Sequence, residues 1–284
     1  MRNALILSSK KGGPLTPMNR LSFVALGILV CCSSVLAKAS VVDLILFERN
    51  PWRTVIGSDS PVFVHYSDGL TILLSGTSYK SVRLSEAESA ELLSRFSSLG
   101  ELKPDYSFLQ GIGVSDLPTI ELYFRSAGEL KRVSVYGSLK MAAVAAGTAV
   151  PNGLIENLAY KGGAAVPKVL IENLLYLESY SHPGAIDWLP SYVELMVWPY
   201  EYAQEESIVW PEGFPDIDSP STIKRRGSSY SIYLPYSMNQ ELMALLRTRK
   251  KGGALVMNGK KWAFDTRIPF PHEIARNKAL HPTQ

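Results

Sequence analysis

The dipeptide Asp68-Gly69 constrains this chain more than any other feature. It sits inside PVFVHYSDGLTILLS, residues 61–75, between two β-rich runs. Asp-Gly suits a two-residue hairpin turn, because glycine takes positive φ without a Cβ clash. Antiparallel strands are therefore expected on either side. The stretch Leu84-Ser85-Glu86-Ala87-Glu88 then reads as a helix start. Its Ser85 hydroxyl can accept from a free backbone N–H while Glu88 reaches back. The spacing predicts a helix over about 86–97, ended near Gly100. Runs at 119–125 and 131–136 flank Ser126-Ala127-Gly128-Glu129 and read as a second hairpin.

A similar order returns later. Strands are predicted at 192–198 and 230–234, followed by a helix from Met238 to about Arg249 with Ser237 as its cap and Gln240 at the reciprocal position. Strands near 254–257 and 261–266 close on the turn pair Asn258-Gly259. The fold class expected is α+β, antiparallel hairpins with packed helices, with two similar strand-strand-helix-strand-strand lobes at 40–137 and 181–284. A single mixed α+β domain is the alternative. Between them, AVPNGLIENLAY at 149–160 and AVPKVLIENLLY at 165–176 agree at nine of twelve positions. Two copies are too few for a solenoid. Each carries a proline near its start, which suits a first helical turn, so residues 138–180 read as a connector carrying a duplicated helical segment.

The first 39 residues contain Arg2, Lys10, Lys11, Arg20 and Lys38 but no acid, around an uncharged run from Leu21 to Leu36. That is the layout of an export signal. The run has 16 residues, short of the roughly 18–20 needed to span a bilayer. Ala37 and Ala39 form an A-x-A pattern that places cleavage before Ser40, and Met18 is an alternative start. Cys31 and Cys32 raise a lipid-anchored form as a second possibility, although Val30 and Cys31, not a small residue, precede them. An uncleaved anchor is a third. Cleavage at Ser40 would remove both cysteines and five basic residues, taking the formal charge from +3 to −2. The remaining chain would have no disulfide or thiol chemistry and no general attraction for nucleic acid. Its expected location is periplasmic or secreted.

Motifs for chemistry are weak. The histidines His65, His182, His272 and His281 have no metal-site spacing. His65 is expected to be outward or satisfied, His182 to mark a turn, and the other two to lie in a loose C-terminal tail. There is no G-x-S-x-G elbow, and Gly111-Ile112-Gly113 lacks the third glycine of a dinucleotide loop. Asp216-Ile217-Asp218 reads as a turn former more than a cation seat. Asp105, Asp116, Glu194 and Glu201 are candidate carboxylates for a hydrolase. No cofactor and no metal are expected. The unusual region is 188–215, where aromatic residues crowd with Pro190, Pro199, Pro211 and Pro215. Trp188, Trp198, Tyr200, Tyr202 and Trp210 are the candidate ligand-binding residues, since aromatic faces held by prolines can stack on sugars or grip peptides. Their alternative role is to fill a core beneath an irregular connection.

Residues 62–69, Val-Phe-Val-His-Tyr-Ser-Asp-Gly, resemble uncharacterised exported bacterial proteins with a hairpin of the form aromatic-x-x-Tyr-x-Asp-Gly. The helix start at Ser85, Tyr106, Asp116 with Pro118-Thr119, residues 131–137, Trp188-x-Pro190, residues 194–200, Trp210-Pro211, residues 259–262 and Pro269-Phe270-Pro271 carry the same likeness. The resemblance implies a secreted or periplasmic location and an α+β fold, and it brings no catalytic residue. Three functions are in view: a non-catalytic exported module binding a protein or cell-envelope ligand, a hydrolase of envelope polymers or peptides, and a structural or tethering envelope protein.

Overall fold

A computed structural model describes residues 41–108, 116–141, 166–277 and 280. Glycine placement fixes the first hairpin. Strands β1 (Val42–Arg49), β2 (Phe63–Tyr66), β3 (Leu70–Ser75) and β4 (Ser78–Arg83) run antiparallel in succession. Between β2 and β3 the Gly69 amide donates to the Tyr66 carbonyl at 2.9 Å, and Gly69 itself takes φ 84°. The turn therefore centres on Ser67-Asp68 and hands over to a left-handed Gly69. This is a three-residue loop, where the sequence suggested a two-residue turn on Asp68-Gly69. A side chain at Gly69 would lie 2.4 Å from the Leu84 carbonyl oxygen, so the position requires glycine twice over.

Helix α1 (Glu86–Ser94) begins with the expected capping box. Ser85 Oγ accepts from the Glu88 amide and Glu88 accepts from the Ser85 amide at 2.8 Å. Strands β5 (Asp105–Ser107), β6 (Thr119–Ser126) and β7 (Glu129–Tyr136), helix α2 (Lys168–Glu178) and strand β8 (Ile186–Asp187) complete an eight-stranded sheet of order β5-β7-β6-β1-β2-β3-β4-β8. The β6–β7 hairpin turns on Ala127 and Gly128 at positive φ, in accord with the sequence.

Alternation along β1 explains why this sheet is buried on both sides. Leu44 and Leu46 point into a core shared with α1 and α2, whereas Ile45 and Phe47 join Val64, Tyr66, Ile72 and Phe270 on the opposite face. Burying each such side chain is worth about 1.5–3 kcal/mol. The second copy of the duplicated segment forms α2, with Pro167 at its N-cap and Leu170, Ile171, Leu174 and Leu177 buried in the first core. This part of the presumed connector is thus core material. The first copy lies outside the described residues.

The second sheet takes β9 (Tyr192–Pro199), β10 (Ile208–Val209), β11 (Thr222–Lys224), β12 (Tyr230–Pro235), β13 (Leu255–Met257) and β14 (Lys260–Arg267), in the order β10-β13-β14-β9-β12-β11. Helix α3 (Asn239–Arg247) packs on one face, where Leu242 meets Val193, Leu195, Val197 and Trp262. Ser237 does not cap it. A 3-10 turn at Tyr236–Met238 carries the chain into the helix, so Met238 occupies the cap position without a side-chain bond. All four sheet edges are strands of two or three residues (β5, β8, β10 and β11), which limits edge-to-edge pairing.

The C-terminal segment joins both sheets. Phe270 is fully buried against the first sheet, and the Tyr66 hydroxyl lies 2.8 Å from His272 Nδ1 on helix α4 (Pro271–Ala275). Glu273 on the same helix pairs with Arg267 of the second sheet. Ser60 Oγ accepts from the Ile268 amide at 2.8 Å. Residues 268–277 are thus docked, and the loose tail expected around His272 is corrected: the apolar burial of Phe270 holds it. His281 lies outside the described residues.

Candidate ligand-binding cleft

The aromatic and proline-rich segment reaches its place through a long-range parallel pairing. The Ile208 amide donates to Ala254 at 2.8 Å and the Trp210 amide to Val256 at 2.9 Å, setting β10 beside β13. Residues 209–216 are thereby laid against 256–259, and a cleft of about 350 Å³ opens between them. Pro211 and Pro215 stiffen the loop by fixing φ. Trp210 Nε1 donates to the Pro215 carbonyl at 3.1 Å, and the indole meets Phe214 edge to face, with centroids 5.4 Å apart.

Asp216 locks the far end of the loop. Its Oδ1 accepts from the Asp218 amide at 3.0 Å and from Ser219 Oγ at 3.0 Å. Asn258, at φ 51° in the β13–β14 turn, donates from Nδ2 to Asp218 at 2.6 Å. Burial pushes the Asp216 carboxyl up, but the Ser219 hydroxyl, the Asp218 amide and Asn258 outweigh it and hold it below its ordinary value. The pair Asp216 and Asp218 thus forms a turn, the role the sequence favoured. Glu212, at the mouth, is exposed.

The five aromatic candidates separate into three places. Trp210 is a cleft wall and is mostly buried, 8% exposed. Trp188 packs on Tyr79 and Phe270 against the second face of the first sheet. Trp198 lies one residue before the end of β9, and Tyr200 and Tyr202 form an edge-to-face pair in the following turn with centroids 4.6 Å apart. Tyr202 is 75% exposed.

No family model, curated protein or solved structure matches the chain. The reading of the cleft therefore rests on its own geometry.

Glu212, Val256, Asn258 and Gly259 line the cleft; the sequence marks Asn258 and Gly259 as a turn pair, and none of the four as a binding residue. Only the strand pairing of β10 with β13 brings 256–259 to the aromatic loop, and no local pattern encodes that pairing. A second cleft, about 390 Å³, lies between the β1–β2 loop and residues 117–119. Its arginines are already paired, Arg49 with Glu121 at 2.8 Å and Arg53 with Asp59 and Asp265 at 3.2 Å each. Exposed Trp52, whose Nε1 donates to the Asp116 carbonyl at 3.1 Å, flanks that loop.

The carboxylates considered for hydrolysis are dispersed. Asp105 is on β5 facing Arg132 at 3.9 Å, Asp116 precedes β6 at φ 65°, and Glu201 is exposed after β9. Glu194 is buried on β9, accepting from Ser231 Oγ at 2.6 Å and paired with Arg225 and Arg267. Among the described residues Glu178 is the carboxyl held above its ordinary value, through burial and then the charge of Glu48. It lies at the end of α2 and lines neither cleft.

His65 is buried, not outward. Its Nδ1 lies 2.8 Å from Thr71 Oγ1 while Nε2 has no hydrogen-bond partner among the described residues, and burial lowers its pKa against the pull of Asp43 and Asp68. His182 sits in the expected turn, accepting from the Gly184 amide at 3.0 Å and facing Glu88 at 3.3 Å. Among the described residues no group of three or more His, Cys, Asp or Glu is placed to hold a metal ion. Among them, too, no helix is long and apolar enough to cross a membrane.

Proposed function

We propose that the chain is an exported bacterial module, periplasmic or secreted, that binds a protein or cell-envelope ligand without turning it over, and that the Trp210 cleft is where it binds. The observation that carries this reading is the construction of the cleft. A proline-stiffened aromatic loop is locked open by the Asp216 turn and by the Asn258 bond from the β13–β14 turn, so the concavity is formed before a ligand arrives. Preformed sites avoid the ordering cost of binding. The dispersal of the candidate carboxylates and the lowered pKa of Asp216, opposite to what a general acid needs, favour binding over hydrolysis. Export is supported by the acid-free, basic leader and the A-x-A pattern. The proposed cut before Ser40 would leave the central strand β1, which starts at Val42, whole.

Two measurements test this. The intact mass and N-terminal sequence of protein recovered from a cell-envelope fraction should give a start at Ser40 or Lys38 without added mass. A lipid-bearing start at Cys31 or Cys32, or an uncleaved chain, would contradict free export. A photo-crosslinking benzoylphenylalanine at Val209, beside the cleft, should give a discrete envelope adduct that the same probe at Leu189 does not. Equal labelling from both positions, or shortening of isolated envelope polymers on incubation, would count against a binding cleft.

A further inference from the structure

The chemistry of the lining narrows the occupant, on the premise that the cleft is a binding site. We propose that it takes an extended peptide segment that inserts a lysine or arginine side chain between Trp210, Phe214, Glu212 and Asp216.

Three observations support this. Among the described residues the charged groups lining the cleft are Glu212 and Asp216, with no Lys or Arg beside them, so a cation gains attraction where an anion is repelled. Half-buried Phe214 acts in the same sense, since an ammonium or guanidinium is drawn to the face of a phenyl ring and covers less of it than a sugar ring does. Sugar stacking is disfavoured, because it needs a broad free aromatic face. Here Trp210 is only 8% exposed and is already in edge-to-face contact with Phe214.

The third observation selects a peptide over a free amine. Strand β10 is an edge of the second sheet, and the amides of Ile208 and Trp210 are those that reach β13. Alternation along a strand turns the Val209 amide and carbonyl to the outer side, where an extended segment can pair with them. Val209 is 72% exposed and lines the cleft. Gly213, at φ 87°, has open space where a Cβ would stand, so the loop crest leaves room for a passing chain. A two-residue edge offers little backbone pairing, which leaves the choice of partner to the charged side chain.

The test uses the full 284-residue chain and three fluorescein-labelled heptapeptides, Ala-Thr-Val-X-Val-Thr-Ala with X as lysine, norleucine or glutamate, read by fluorescence anisotropy. The lysine peptide should bind at least tenfold more tightly than norleucine, and the glutamate peptide should not bind. Glu212→Gln should weaken the lysine peptide about fivefold and Glu212→Lys should abolish its binding. Glu212 is exposed, so both variants should keep the parent near-ultraviolet circular dichroism. Val209→Pro, which removes the outward amide, should weaken lysine and norleucine peptides alike. Equal binding of lysine and norleucine peptides, or indifference to Glu212→Lys, would overturn the cationic assignment while leaving a binding cleft. If no peptide binds but the probe at Val209 still yields its adduct, the peptide assignment falls and the broader reading stands; if both fail, both fall.

Discussion

The two sheets share an arrangement and differ in what their second faces bury. In each, a central strand (β1 or β9) is flanked on one side by a hairpin that precedes a helix and on the other by a hairpin that follows it. In each, a short outer strand runs parallel to its neighbour, β5 on β7 and β10 on β13. The hairpins enter in opposite senses: the first sheet sets the earlier strand of each hairpin against the centre (β2, β6), the second sets the later one (β12, β14). The likeness is therefore one of layout and not of chain order. The first sheet buries apolar side chains on both faces. The second packs its main apolar cluster towards α3, and on its other face buried Met196, Tyr233 and Ala263 share the space with Glu194, Ser231 and Arg267, closed by Arg225 and Glu273. Apolar faces tolerate volume-conserving repacking, whereas a buried charge network fails when one member is lost.

Arg267→Met should produce the largest effect. It removes the buried cation shared by Glu194 and Glu273, leaving Glu194 with Arg225 and Ser231 and Glu273 with the Phe270 amide, and urea unfolding should show a loss of about 3–5 kcal/mol. The double variant Glu194→Leu with Arg267→Met should be less destabilised than Arg267→Met alone. Equal losses would erase the contrast between the two sheets.

The seam between the sheets should respond to acid. Burial pushes His272 down to about 4, against the pull of Glu273. Because the folded state holds this histidine neutral, its stabilisation is complete above the ordinary histidine pKa of about 6.5 and is lost as pH falls from there towards 4. The change is up to about 3 kcal/mol. His65, also lowered by burial, adds in the same direction. His272→Gln should flatten the fall in unfolding free energy between pH 6.5 and 4, and an unchanged slope would remove His272 from the account.

The turns sharpen the comparison further. Gly259→Ala should cost about 1–2 kcal/mol for its left-handed backbone alone, since a Cβ there meets nothing within 4 Å. Gly69→Ala should cost more, because it adds a collision with the Leu84 carbonyl at 2.4 Å. Thermal melts of the two variants give the order. Ser85→Ala, which removes the cap of α1, should cost about 1 kcal/mol.

Local chemistry made much of this fold legible. Ser85 with Glu88, Ala127-Gly128 and Asn258-Gly259 act where the sequence places them, because caps and tight turns depend on neighbours in the chain. The central strand β1 was missed. Its run Val-Asp-Leu-Ile-Leu-Phe is nearly all apolar because it is buried on both faces, and such a run has no period to read. The docking of Phe270 and the buried Glu194 network were equally hidden, since both depend on partners far along the chain. For the cleft, the aromatic segment was visible but not which ring lines it. Trp188, Trp198 and Trp210 look alike in sequence and are distributed by sheet pairing.

The most direct test of the cleft as the binding site is amide hydrogen exchange on the full chain, with and without a cell-envelope fraction. The account predicts slowed exchange at residues 209–216 and 256–259, with the β1–β2 loop at 50–59 unchanged. Protection at 50–59 with none at 209–216 would contradict it and move the site to the other cleft.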